Sequence, residues 1–225
     1  MAKKKSTDTN NLFNDKDKND WNKALKPLFK KYDGRKHPLE YKNAYQLLVA
    51  VVLSARDSDR NINSLSPALF AKFPSMKHLA KATPEDLYPF IRKVSNFGNK
   101  AQWLTKTAKE IKDNKNIPFT QEGLTQYSGI GRKSANVIMS QMGVPAEGVI
   151  VDLHTLRVAP RLGIAQGTNP EKIEKQLMEK VDRKNWHLLG MSLTYLGRET
   201  CRPTNPKCHE CVVSSICAFY NEQKK

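Results

Sequence analysis

The chain has 225 residues, enough to bury one generous core or two small ones. Its 38 Lys and Arg against 22 Asp and Glu give a formal net charge of +16, and the pI of about 9.7 follows; nucleic acid is the leading partner, with a solvated basic face or a place on the ribosome as the alternatives. The longest apolar stretch, Leu47 to Leu53, falls short of the ~18 residues that a membrane span needs, so no membrane role is expected.

Residues 1–19 start basic but carry no apolar run behind the lysines, and Asp8, Asp15, Asp17 and the adjoining Asp20 argue against a mitochondrial transit peptide. A disordered polar tail is expected there. Beyond it, apolar residues recur at helical spacing while alternating strand-like runs are scarce, so the fold class is all-α. Helices are expected over Trp21–Tyr32, Ala44–Ala55, Arg60–Phe73, Pro84–Ile91, Asn99–Lys112, Thr120–Tyr127, Lys133–Met142, Leu153–Leu162, Pro170–Lys180 and Trp186–Gly197. Thr83-Pro84-Glu85-Asp86 and Asn169-Pro170-Glu171 each place a capping side chain ahead of a proline at the first helical position and an acidic first turn. No internal repeat is present.

Three constellations carry chemistry. In Tyr127-Ser128-Gly129-Ile130-Gly131-Arg132-Lys133-Ser134, two glycines around one apolar residue precede a helix-forming run. Such a turn exposes backbone N–H groups and a helix N-terminus to a phosphate, with Ile130 as its anchor and Arg132 and Lys133 beside it. It reads as a helix-hairpin-helix; an ordinary helical corner with glycine in the turn is the alternative. Val149-Ile150-Val151-Asp152 then delivers one carboxylate to the start of the next helix, where it can cap the helix, serve chemistry, or do both. His154, two residues on, reads as a structural hydrogen-bonding residue. Finally, Cys201, Cys208, Cys211 and Cys217 are the only cysteines and fall within 17 residues. With no secretory signal a disulfide framework is a poor explanation, and four thiolates suit either zinc or a [4Fe–4S] cluster; a single CxxC pair leans toward iron–sulfur.

Together these segments resemble the endonuclease III family of helix-hairpin-helix DNA glycosylases, through GIGRKSANV, VDLHTLRV and C-x6-C-x2-C-x5-C, over about Leu25 to Cys217. The resemblance implies a bilobal fold. A six-helix barrel of residues 37–146, holding the hairpin, would be inserted into an iron–sulfur cluster domain of residues 20–36 plus 147–225. It implies a [4Fe–4S] cofactor on the four cysteines and, as partner, double-stranded DNA containing a damaged base or abasic site. It implies base-excision repair; compact length and the absence of a targeting signal suggest a monomer in a bacterial cytoplasm, associated with the nucleoid. Lys133 matches the family's nucleophile, which displaces an oxidised pyrimidine and forms the Schiff base for β-elimination; the helix N-terminus and the neighbouring cation Arg132 would favour its neutral form. Asp152 matches the aspartate that assists it. Gly129, Ile130, Gly131, Arg132 and Ser134 would hold a backbone phosphate.

The sequence also departs from that pattern. Arg56 stands where the family usually has Gln, facing the gap left by a flipped nucleotide, and Asn96 stands where an apolar wedge is usual, with Phe97 beside it as a substitute. Leu153 follows the aspartate where a small hydroxyl residue is commoner. These differences keep two other readings open: a glycosylase of the same fold with altered lesion specificity, and a non-catalytic DNA-binding module.

Overall fold

The computed structural model describes residues 20–224, so the expected tail at 1–19 lies outside the described residues. Among them every regular element is helical: α1 (Trp21–Ala24), α2 (Lys26–Tyr32), α3 (Ala44–Ser54), α4 (Asp59–Lys72), α5 (Met76–Leu79), α6 (Pro84–Ile91), α7 (Phe97–Ile111), α8 (Gln121–Thr125), α9 (Arg132–Gln141), α10 (Leu153–Leu162), α11 (Pro170–Lys180), α12 (Trp186–Glu199) and α13 (Ala218–Glu222), with four short 3-10 turns. The all-α expectation holds.

Local chemistry sets most of the boundaries. Asn43, Ser58, Thr120, Asp152 and Asn169 each accept a backbone N–H in the first turn of the helix they precede. Thr83 and Asp86 form a capping box ahead of Pro84. The single helix expected over Trp21–Tyr32 is instead broken at Leu25, two residues before Pro27, which has no N–H to continue the ladder. Helices α5 and α13 were not expected from the sequence. One buries only Met76 and Leu79 and the other buries nothing, too little for a periodic signal.

The buried side chains form two cores. One gathers α3 to α9, from Leu39 to Met139, and includes Ile150. The other joins Leu25, Leu28, Phe29 and Tyr32 of the N-terminal helices to α10, α11 and α12 and to Val213. The extended segment before α10 serves both: Ile150 points into the first core, while Val149 and Val151 point into the second. Its alternation carries Asp152 to the boundary between the two cores.

Candidate active site

The hairpin turn is built from packing. Gly129 has φ of 85°, and a Cβ there would lie 2.7 Å from Trp103 Cε3, so only glycine fits. Ile130 is 3% exposed and pins the turn to the first core. Gly131 has φ of −91° and open space around it. Its role is bareness: it caps α9 with no side chain over the helix's first N–H groups. Lys133 and Ser134 follow in the first turn, and Lys133 is exposed. Arg132 is less free than the sequence implies. Its Nε donates to Glu174 Oε2 at 3.0 Å, and buried Glu174 also accepts from Asn136 Nδ2 at 3.1 Å, which ties the hairpin to α11 across the two cores.

Asp152 caps α10 and still leaves one carboxylate oxygen over. Its Oδ1 accepts from His154 N at 2.9 Å and Thr155 N at 2.8 Å, capping α10, while Oδ2 has no partner among the described residues. Asp152 and Lys133 line one cleft between the two cores, together with Ser54, Asp59, Arg198 and His37. Arg198 of α12 donates to Asp59 Oδ2 of α4 at 2.9 Å, an ion pair that also spans the cores. Burial drives the His37 imidazole down to about pKa 4, against the opposing pull of Asp59, so the ring is neutral at physiological pH. His154 takes the structural place expected of it, with Nδ1 3.3 Å from Arg157, whose Nε holds the carbonyl of Cys201. Leu153, beside Asp152, is 80% exposed, the most exposed large apolar side chain among the described residues.

Arg56 and Asn96 lie at the tips of two neighbouring exposed loops, both in the left-handed region, with φ of 59° and 56°. Few non-glycine residues adopt that region, and both loops are held there from behind. Buried Lys100 donates its Nζ to Leu53 O at 2.7 Å and Ala55 O at 2.6 Å, and Asp57 Oδ2 accepts from Ser95 N at 2.8 Å. Ser54 and Asp59, which bracket the Arg56 loop, face the cleft, so this loop forms its rim. Phe97 does not stand at a tip. Its ring meets Tyr88 edge-on at 5.2 Å and packs against the first core, leaving the tip to Asn96.

The four cysteines come together around one small cavity, with Thr200, Ser214, Phe219 and Tyr220. Arg161 approaches it through Nη1, 3.7 Å from Cys201 Sγ, and its carbonyl accepts from Cys217 Sγ at 3.4 Å. No group of three or more His, Cys, Asp or Glu side chains among the described residues is arranged to hold a single metal ion. The sequence reading missed His37, Asp59, Lys100 and Arg198, none of which belongs to a local motif.

Residues 49–183 match the family described as HhH-GPD superfamily base excision DNA repair protein. The chain is 33% identical over 192 residues to endonuclease III of Synechocystis sp., covering 84% of this chain and 88% of that one. It is 34% identical over 183 residues to endonuclease III of Bacillus subtilis, covering 80% and 83%. In structure it is similar to an endonuclease III in a non-covalent complex with DNA, with a TM-score of 0.82, 28% identity, and coverage of 95% of this chain and 99% of that one. A thermostable thymine-DNA glycosylase shares the fold at a TM-score of 0.76 and 18% identity. A bare hairpin turn, a lysine and an aspartate sharing one cleft, and these matches across nearly the whole chain have a single resolution: the chain belongs to the HhH-GPD superfamily of base excision DNA repair proteins and, within it, to the endonuclease III glycosylase/lyases.

Proposed function

We propose that the chain acts on oxidised pyrimidines in duplex DNA, with Lys133 as nucleophile and Asp152 as its partner. The observation that carries this reading is that both residues line one cleft at the junction of the two cores, with the hairpin's bare amides beside it. DNA would lie across the groove between two lobes, 37–146 and 20–36 plus 147–225, each organised on one of the cores. The phosphate beside the lesion would meet the N–H groups at Gly129 and Gly131 and the Ser134 hydroxyl, the Ile130 N–H being spent on Tyr127 O at 3.1 Å within the turn, and the nucleotide would swing out into the cleft. Arg56 and Asn96 would occupy the space it leaves.

The neutral Lys133 amine forms a bond to C1′, the glycosidic bond breaks, and the base leaves with the bonding electrons and takes a proton. The unpaired Oδ2 of Asp152 stabilises positive charge on the sugar and accepts a proton from the lysine nitrogen. Ring opening gives the Schiff base; loss of a 2′ proton then expels the 3′ phosphate by β-elimination, and water frees the lysine.

Cys201, Cys208, Cys211 and Cys217 would hold a [4Fe–4S] cluster. Four thiols ring one cavity, one for each iron of such a cluster. When bound, the cluster supplies a covalent cross-link and redox chemistry away from the cleft. A specific observation also favours a shifted lesion range: the two neighbouring loop tips carry Arg56 in place of the family's usual Gln and polar Asn96 in place of an apolar wedge, which changes how the opposite strand would be read.

The test is borohydride trapping on duplexes holding one abasic site or one thymine glycol. The wild type should form a covalent adduct on both, and Lys133→Gln should form none while still binding DNA. No adduct from the wild type on either duplex would sink the reading. Binding should also weaken steeply with added salt as counterions are released.

A further inference from the structure

His37 enters the cleft from the connection between α2 and α3, and the catalytic steps above do not use it. Its tautomer is fixed by the backbone: Leu39 N donates to Nδ1 at 3.1 Å, so Nδ1 offers its lone pair and the single ring proton sits on Nε2. That Nε2–H has no hydrogen-bond partner among the described residues, yet it is not one of the sealed polar atoms left without one. His37 lines the cleft, where a bound acceptor can meet this N–H. Asp59, Lys133 and Arg198 are the charged groups close enough to act on the ring, and Asp59 and Arg198 are already bound to each other.

Lys133 must meet the sugar at C1′, so the base attached to that carbon occupies the part of the cleft away from the lysine. Besides Lys133 and Asp152, the cleft has Leu39, Val51 and Met191 as apolar walls and His37, Thr194 and the Asp59–Arg198 pair as polar groups. Oxidation at C5 and C6 alters the face of a pyrimidine but leaves its C2 carbonyl in place. As the glycosidic bond breaks, negative charge gathers on that carbonyl and the ring nitrogen, and a fixed donor aimed at it stabilises the departing base.

We propose that His37 is a base-contacting residue: its Nε2–H donates a hydrogen bond to a ring carbonyl oxygen of the extruded pyrimidine and stabilises the base as it leaves. The imidazole keeps its proton throughout, and the departing base takes its own from water. This rests on the reading of the cleft as the seat of the extruded nucleotide.

The test separates base release from lyase chemistry, because an abasic site has no base for His37 to touch. Wild type, His37→Phe and His37→Gln are compared in single turnover on a thymine glycol duplex and by borohydride trapping on an abasic duplex. His37→Phe keeps a ring of similar size without the donor and should slow base release about tenfold, one hydrogen bond's worth, with abasic trapping within about twofold of wild type. His37→Gln keeps an N–H donor and should recover part of the loss. Equal losses on both substrates would mean that His37 supports the fold or the sugar-phosphate, and unchanged base release would mean that it touches nothing; either overturns the proposal. Failure of the wild type to trap the abasic duplex would instead bring down the lysine reading. Should the wild type trap that duplex and leave thymine glycol untouched, the same comparison is made on a pyrimidine lesion that it does release.

Discussion

The hairpin turn at Ser128–Gly131 and the cysteine loop at 201–217 are both irregular backbone doing a specialised task, but they are held in opposite ways. The hairpin is fixed by the chain's own packing: Ile130 sits in the first core and Trp103 lies against Gly129. The cysteine loop has one buried apolar side chain, Val213. Ile216, Cys201, Cys211 and Cys217 are only partly buried against the second core, and the backbone is held by Arg157 on Cys201 O, by Arg161 on Arg202 O and Pro203 O, and by Cys201 N on Leu196 O and Lys207 N on Thr200 O. Seventeen residues with so little buried surface cannot offset the ordering cost of ~1–2 kcal/mol per residue. The first region is organised before any ligand arrives; the proposed cluster on four thiolates would give the second a cross-link that its own packing does not supply.

The largest effect should follow from breaking that cross-link. In Cys211→Ser the iron–sulfur absorbance should disappear and trypsin should cut after Lys207, while the core around α3 to α9 stays protected. A loop that loses its colour but still resists trypsin would show that Arg157 and Arg161 suffice. The hairpin should fail differently. Ile130→Ala removes a fully packed anchor and should cost about 3 kcal/mol in urea unfolding, with phosphate affinity falling as the turn loosens. Gly129→Ala should cost about 2 kcal/mol, from positive φ and the approach of Trp103, and should leave the iron–sulfur spectrum untouched. A change in that spectrum would mean that the two regions are not independent.

The sequence made legible whatever is local. Lys133, Asp152 and the four cysteines each belong to a run of neighbours whose spacing carries its own physical sense, and the cleft and the thiol cavity contain those residues. Most helices were legible for the same reason, since a capping side chain and a proline act within one turn. What could not be read is what distant segments bring together. The Asp59–Arg198 pair spans 139 residues, and Lys100 reaches 45 residues back to the carbonyl of Ala55. Arg132 looked like a free cation beside the turn; only the fold brings Glu174, 42 residues later, against it. Phe97 looked available as a wedge because nothing in its own neighbourhood revealed Tyr88 against its ring.

His37 belongs to neither region, and it gives the smallest of these effects, one that titration can isolate. Its folded-state value of about 4 lies below the ordinary 6.5 because burial disfavours the charged ring. Between those values the unfolded chain takes up a proton that the folded chain refuses, so stability from this group is fully present above pH 6.5 and is lost as pH falls toward 4. The full shift corresponds to about 3 kcal/mol, and the part of the ring that faces the cleft reduces this to the order of 1 kcal/mol. Urea midpoints of wild type and His37→Gln, followed from pH 7 to pH 4, should therefore converge as the pH falls. Parallel curves would mean that the ring is solvated well enough to titrate normally. The cleft would then be wetter than its lining suggests, and a donor already bonded to water would have less to offer a departing base.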